Sequence, residues 1–474
     1  MRIALFASAA LACVLATPAL AQKAVPDPLA LVDARYDRTA AMAKAIWDFA
    51  ELGYQEYRSS ALLQAELAKE GFKVTKGVAE IPTAFVAEWG RGGPVIAILA
   101  EFDALPGVSQ AAVPVKQADT KPAAHACGHN LFGSGSVTAA IALSQWLKAT
   151  GTPGRVRLYG TPAEEGGSGK VYMVRDGLFN DVDFALHWHP SDSNSAAART
   201  TLANRSAKFR FKGRAAHAAG APAQGRSALD GVEAMNMMVN MMREHTTMDS
   251  RIHYVITDGG SAPNVVPETA EVFYYVRHSD TAEVEAMWKR LEDAAKGAAL
   301  GTGTQVEWEI IHGNNPLLVN ETLAKMMDGK LRQIGGMQLS DDEKRFASEI
   351  GKTLAAPKPV DKAAVIEPYG KTLGYGSTDV GDVSWATPTV GLNTASWAPG
   401  TPAHSWQSAA ASGTSMGFRG AQLAAKAMTL AAIQLYTDPA LRQAARAEFD
   451  ASRGPNYQYR SLLGDRKPPL DFRK

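Results

Sequence analysis

Val95-Ile96-Ala97-Ile98-Leu99, continued by Ala100 into Glu101-Phe102-Asp103, is an apolar run of strand length that ends on two carboxylates. A strand apolar at successive positions is covered on both faces, the habit of a parallel sheet. The same design recurs outward from it. Arg155-Val156-Arg157-Leu158-Tyr159 runs into Pro162-Ala163-Glu164-Glu165, and Val182-Asp183-Phe184-Ala185-Leu186 runs into His187-Trp188-His189-Pro190. Thr389-Val390-Gly391-Leu392 is a fourth strand, and helix-period stretches such as 134–147 lie between them. Strands alternating with helices predict an α/β domain built on a parallel sheet. Ligands of such sheets gather outside the carboxyl edge, so the acids and imidazoles that follow each strand are expected to converge there.

Residues 204–317 follow another pattern. Lys208-Phe209-Arg210-Phe211 and Val272-Phe273-Tyr274-Tyr275-Val276 are strands beside helical stretches at 228–243 and 282–299. This predicts an inserted α+β domain, with 22–203 and 318–474 forming the main domain and its sheet resuming around Asn320.

The chain has 474 residues, 46% hydrophobic and 20% charged, enough to bury a large core and more than one domain. Its 49 basic and 48 acidic residues nearly cancel, so there is no basic footprint for nucleic acid. Residues 1–21 read as a secretory signal: Arg2, an apolar stretch over 3–16, and Ala19-Leu20-Ala21 before Gln22. The expected address is periplasmic or secreted. No later run reaches the roughly 18 apolar residues that a membrane span requires. Cleavage at Gln22 removes Cys13 and leaves Cys127 alone in an oxidising compartment, where a lone thiol must be buried, reactive or metal-bound.

Its neighbours bear on that choice. In His125-Ala126-Cys127-Gly128-His129-Asn130 a thiolate and an imidazole two residues apart can face one borderline-soft metal from a tight turn. The plainer reading is a buried cysteine beside a surface histidine; the lone-cysteine argument favours metal. Glu164 and Glu165 cannot share one environment, so one can bind metal while the other takes a proton from water. His187 and His189 lie two apart on an extended segment and point to the same side, so either can be a ligand. His404 is isolated. Gly169-Lys170 fails as a phosphate-binding loop, because Glu164 stands where the first glycine is needed and Val171 follows the lysine. A Cys127/His129 nucleophilic pair would leave both glutamates without work, and a solute-binding protein would need neither thiolate nor base.

Ala100-Glu101-Phe102-Asp103-Ala104-Leu105-Pro106, His125-Ala126-Cys127-Gly128-His129, Pro162-Ala163-Glu164-Glu165, His217 within Ala215-Ala216-His217-Ala218-Ala219, and Gly259-Gly260-Ser261-Ala262-Pro263-Asn264 occur in the order of a known family. Through them the chain resembles the metallopeptidase-20 family, in its aminoacylase and hippurate hydrolase branch. Trp188-His189-Pro190 and Gly376-Ser377-Thr378-Asp379-Val380-Gly381-Asp382-Val383-Ser384 are similar to the members that act on p-aminobenzoyl-glutamate. The resemblance implies a zinc-peptidase-like catalytic domain, a mixed, mostly parallel sheet flanked by helices, with the insert as a lid and dimerisation domain. It implies two divalent metal ions, zinc or manganese first, with cobalt or nickel tolerated by a mixed S/N/O donor set. Cys127, His129, Glu165, His189 and His404 would hold them, Cys127 bridging, with His189 preferred to His187 for its match to the His-Pro pair.

Glu164 would be the general base. Asp103 would orient a metal-binding histidine, Glu101 standing where many relatives have a histidine ligand. His217 would steady the oxyanion of a neighbouring subunit, and Asn264 and Arg277 would bind the substrate carboxylate. The implied activity is hydrolysis of an N-acyl or N-aroyl amino acid by a homodimer, with dipeptidase or carboxypeptidase action as the alternative.

Overall fold

The computed structural model describes residues 25–473; the leader at 1–21 lies outside the described residues. Ten strands position the site: β1 (Lys73–Lys76), β2 (Phe85–Arg91), β3 (Val95–Ala100), β4 (Gly154–Gly160), β5 (Phe184–Ser191), β6 (Ala203–Lys212), β7 (Arg251–Asp258), β8 (Thr269–His278), β9 (Gln305–Asn314) and β10 (Thr389–Ala395). The main sheet has six strands in the order β1-β2-β4-β3-β5-β10. β4, β3, β5 and β10 run parallel, and β2 and β1 close one edge antiparallel. The sheet is therefore mixed and mostly parallel, and β3, at its middle, is buried at every position.

Helix His129–Thr150 packs on β3 and against helix Ser415–Thr437. Small residues allow this closeness: Gly135 lies over the Trp188 ring, and a Cβ there would come within 2.9 Å of the Ala421 carbonyl. The core around this sheet draws its buried residues from both ends of the chain, Val32 to Ala198 and Leu323 to Leu463. A second core runs from Ala203 to Ala299, with Leu462 added from the tail. It lies under an antiparallel sheet ordered β7-β8-β6-β9, with helices Ala228–Met242 and Thr281–Thr302 packed on it.

Two sequence expectations need correction. The chain resumes at Asn320 as a helix, with the Asn320 side chain capping Glu321–Ile334, and the main sheet regains a strand only at Thr389. The third strand begins at Phe184, paired with Ile96 of β3, rather than at Val182, and continues to Ser191 because β10 pairs with it from Ala185 to Ser191. His187 and His189 are thus inside a strand rather than after one. Among the described residues no helix is long and apolar enough to cross a membrane.

Candidate metal centre

Each parallel strand delivers chemistry at its carboxyl end. β3 leads into Glu101 and Asp103, both buried. The segment after Ala124 turns sharply at Gly128 (φ +78°) and starts its helix at His129. A side chain at Gly128 would press on Pro190, so glycine lets the Cys127 turn lie against the end of β5. After β4, Ala163 (φ +57°) and Ser168 (φ +62°) are left-handed on either side of the Glu164–Gly167 turn, which aims Glu164 and Glu165 apart. His404 (φ +61°) donates its backbone N–H to the Ala126 carbonyl at 3.0 Å, tying the late histidine to the Cys127 turn.

The donor atoms converge in two groups that share one sulfur. Cys127, His129 and His189 offer atoms all within 4.8 Å of one another, and so do Cys127, Glu165 and His404. Cys127 Sγ lies 3.4 Å from His189 Nε2, and Glu165 Oε1 lies 3.0 Å from His404 Nε2. Two imidazoles are held in the tautomer a cation needs. His129 Nδ1–H donates to Asp103 Oδ1 at 2.8 Å, and His189 Nδ1–H donates to the Pro190 carbonyl at 2.7 Å, which turns each Nε2 lone pair inward. Burial, with His129 nearby, pushes His189 down to about 4, so its ring is neutral. Among the described residues His129 Nε2 and Glu165 Oε1 are buried with no well-aligned hydrogen bond, each only close to another metal-binding type of group, Glu101 Oε2 at 3.1 Å and His404 Nε2 at 3.0 Å. Buried polar atoms are rarely left so, and thiolate, imidazole and carboxylate are donors that suit a borderline-soft divalent ion. The residues fit a two-cation centre, in which Cys127 belongs to both donor groups.

The other members of the site stand off it. Asp103 Oδ2 accepts the Glu165 N–H at 2.9 Å, so one carboxylate braces a member of each donor group. Burial opposes its ionisation, but the His129 imidazole holds it well below the usual carboxylate range. Burial and the Glu101 and Glu165 carboxylates push Glu164 well above its ordinary value. His187 lies along β5 over Gly391, whose missing side chain makes room for its ring, and it belongs to neither sulfur-centred group. His125 donates to the Ile46 carbonyl and is structural.

Comparison with known proteins identifies the family. The model of Peptidase family M20/M25/M40 matches residues 97–376. The chain is 40% identical to one of the subunits of the p-aminobenzoyl-glutamate hydrolase of Escherichia coli, over 88% of its own length and 93% of that protein's. The chain belongs to the Peptidase family M20/M25/M40. It is also 30% identical to the Xaa-Arg dipeptidase of Mus musculus, covering 88% of this chain and 90% of that one. A dinuclear metal binding peptidase of the M20 family from Bacillus subtilis shares its fold, at a TM-score of 0.58 and 18% identity over 86% of this chain and 99% of that one. The chain is a metal-dependent hydrolase of peptide-like C–N bonds.

Sequence reasoning missed one part of this M20 hydrolase. Lys170 is fully buried, with Nζ 2.6 Å from Glu101 Oε1 and 2.7 Å from Asp379 Oδ1. Glu101, His129 and Glu164 form a third group of close donors; there the ammonium takes Glu101 Oε1, while Glu101 Oε2 lies 3.1 Å from His129 Nε2. The only signal for it is Gly169-Lys170 itself, which fails as a phosphate loop.

The residues of the inserted domain of this M20 hydrolase are not all brought to this centre. His217 and Asn264 are exposed neighbours on the lid, where the Ala218 N–H donates to the Asn264 carbonyl at 3.0 Å. Arg277, partly buried at the end of β8, is close enough for its charge to act on Glu164, and its Nη1 donates to Ser377 Oγ at 3.3 Å.

Proposed function

We propose that this M20 hydrolase cleaves the amide of N-acyl or N-aroyl amino acids of the p-aminobenzoyl-glutamate kind, as a homodimer exported from the cytoplasm. The observation that carries the reading is the shared sulfur: Cys127 lies in both donor groups, while Glu164, beside Glu165, lies in neither. Under this reading Cys127, His129 and His189 hold one cation and Cys127, Glu165 and His404 the other. Two divalent ions held there, zinc or manganese first and cobalt or nickel by tolerance, would supply Lewis acidity and lower the pKa of water toward ~7. Glu164 accepts the proton of the attacking water as its oxygen adds to the amide carbon, then hands that proton to the leaving nitrogen as the C–N bond breaks. A carboxyl raised by burial suits both halves of that transfer. Arg277 grips the substrate carboxylate, with Asn264 beside it on the lid, and His217, reaching across the dimer, donates to the oxyanion.

Support for the dimer comes from the lid surface. Helix Ala228–Met242 buries one apolar face yet leaves Met237 and Met241 60% and 63% exposed, next to edge strand β7 with Val255 55% exposed. An apolar patch beside an open strand edge calls for a partner. Export rests on the leader at 1–21 and requires a mature N-terminus at Gln22.

The test is turnover of p-aminobenzoyl-glutamate, N-benzoylglycine and an Xaa-Arg dipeptide, before and after chelation and after added metal. Activity should vanish with chelator and return with divalent metal. Glu164→Gln should lower kcat by about 10²–10⁴-fold with metal content unchanged. Turnover that survives chelation, or an active Glu164→Gln protein, would overturn the reading; preference for the dipeptide would move the substrate class to dipeptides.

A further inference from the structure

After helix Pro439–Arg453 the chain runs back across both sheets with no helix or strand of its own, held by side chains along its path. Arg466 binds the Ile311 carbonyl and Glu309 of the lid sheet. Tyr172 donates to the Lys467 carbonyl, Gln55 donates to the Leu470 carbonyl at 2.6 Å, and Phe472 meets the Tyr54 ring edge-on at 5.8 Å. This path ends at the metal centre. A Cβ built on Gly166, the residue after Glu165, would lie 3.6 Å from Arg473 Nη2 and 3.8 Å from the Tyr275 hydroxyl.

A second guanidinium shares this neighbourhood: Arg277 lies over the Tyr275 ring, 5.3 Å from its centroid. Arg277 rises from β8, and the charges of both act on Tyr275 and His312. Neither is in an ion pair among the described residues, whereas Arg157, Arg210 and Arg332 all are. Arg473 Nη1 and Arg277 Nε are buried without a hydrogen-bond partner among the described residues. Two like charges around one ring, each with a buried and unpaired nitrogen, are costly unless an anion joins them. A guanidinium offers a carboxylate paired, directional donors, and two of them suit two carboxylates.

We propose that Arg473 is a substrate-binding residue: with Arg277 it forms a dicarboxylate subsite beside Glu164 and Glu165 that selects N-acyl amino acids with an acidic side chain. The proposal rests on the functional reading above and deepens it. Arg277 takes the α-carboxylate and Arg473 the side-chain carboxylate, so the tail sets specificity while the centre performs the chemistry.

The experiment compares N-benzoylglutamate with N-benzoylglutamine, its neutral near-isostere, by steady-state turnover and by calorimetric binding to the metal-loaded protein. Wild type should favour the glutamate compound. Arg473→Gln should cut kcat/KM for it by roughly 10- to 100-fold, mostly through KM, weaken its binding to a similar degree, and change the glutamine compound less than about threefold. Arg473→Lys should recover part of the preference, and thermal unfolding should stay near wild type because Leu470 and Phe472 still anchor the tail. Equal losses on both compounds would make Arg473 merely structural, and no loss on either would remove it from the site; both overturn the proposal. Selective, Arg473-dependent binding of the glutamate compound without turnover would uphold the subsite and overturn the hydrolase reading instead.

Discussion

Lys170→Met tests the electrostatic support of the centre most sharply. Methionine has nearly the length of lysine, so the volume is kept while the charge is lost. In the wild type one buried ammonium faces Glu101 and Asp379, and its backbone N–H also donates to Asp379 Oδ2 at 2.8 Å. Burial alone would lower the Lys170 pKa, yet these carboxylates hold it above its ordinary value, so the ammonium keeps its proton at neutral pH. Removing one partner of a buried pair leaves an uncompensated charge and costs about 3–5 kcal/mol. Burial already raises Glu101 and Asp379, and loss of the ammonium raises them further. A carboxyl raised in the fold contributes stability at pH below its unfolded pKa and loses it as pH climbs toward the folded one. The mutant's deficit should therefore be small near pH 4 and widen to its full size by pH 8.

The assay is urea unfolding of metal-saturated protein followed by tryptophan fluorescence at several pH values, with Lys289→Met, an exposed i,i+4 partner of Asp293, as the control. Asp379→Asn added to Lys170→Met should restore part of the loss, because the two residues are in contact and their effects should not add. A deficit below about 1 kcal/mol at pH 8, the size of an exposed ion pair, or one that does not change with pH, would refute the reasoning.

Two further outcomes follow from the site. Glu56, fully buried, accepts the Ala163 N–H and the Thr83 hydroxyl, and burial with Asp103 nearby moves its carboxyl from 4.5 to about 8. A proton held up to that pH makes ionisation cost the wild-type fold up to roughly 5 kcal/mol. Glu56→Gln should therefore gain on wild type between pH 5 and 8 in thermal unfolding and hold a constant lead above that; a gap independent of pH would count against a protonated Glu56. His189→Asn should lose one equivalent of bound metal by atomic absorption while His187→Asn keeps both, and the reverse pattern would exchange their roles.

Much of this architecture was legible because strand-length apolar runs and the acids that follow them are local signals. Val95 to Leu99 could be read as a buried central strand from composition alone, and Glu101, Glu164 and Glu165 then had to lie at one sheet edge. The Cys127 turn was legible for the same reason, since its spacing and glycine lie within six residues. Lys170 and Asp379 were not, because they meet only through the β4-β3-β5-β10 order, which no local pattern encodes. The exposed methionines escaped notice because helix Ala228–Met242 is apolar on more than one face, and periodicity cannot tell a buried stripe from an unpartnered one. The tail carries no periodic signal; its course is fixed by contacts such as Gln55 with Leu470, far apart in the chain.

What local patterns could not supply is the division of labour between adjacent glutamates, and here a single carboxylate organises the result. Asp103 uses Oδ1 to lock the His129 tautomer and Oδ2 to hold the Glu165 backbone. With Ala163 and Ser168 left-handed on either side, that hold directs Glu165 toward Cys127 and His404 and leaves Glu164 near Glu101 and His129. Glu101 is held there by the Lys170 ammonium, which it shares with Asp379. Two chemically identical neighbours thus acquire opposite environments: Glu165 is lowered by its histidines against the pull of burial, and Glu164 is raised by burial and by the acids around it. A base must stay off the cations to accept a proton beside them; under the proposed reading it is the Asp103 brace on Glu165, rather than anything in Glu164 itself, that would separate the two roles.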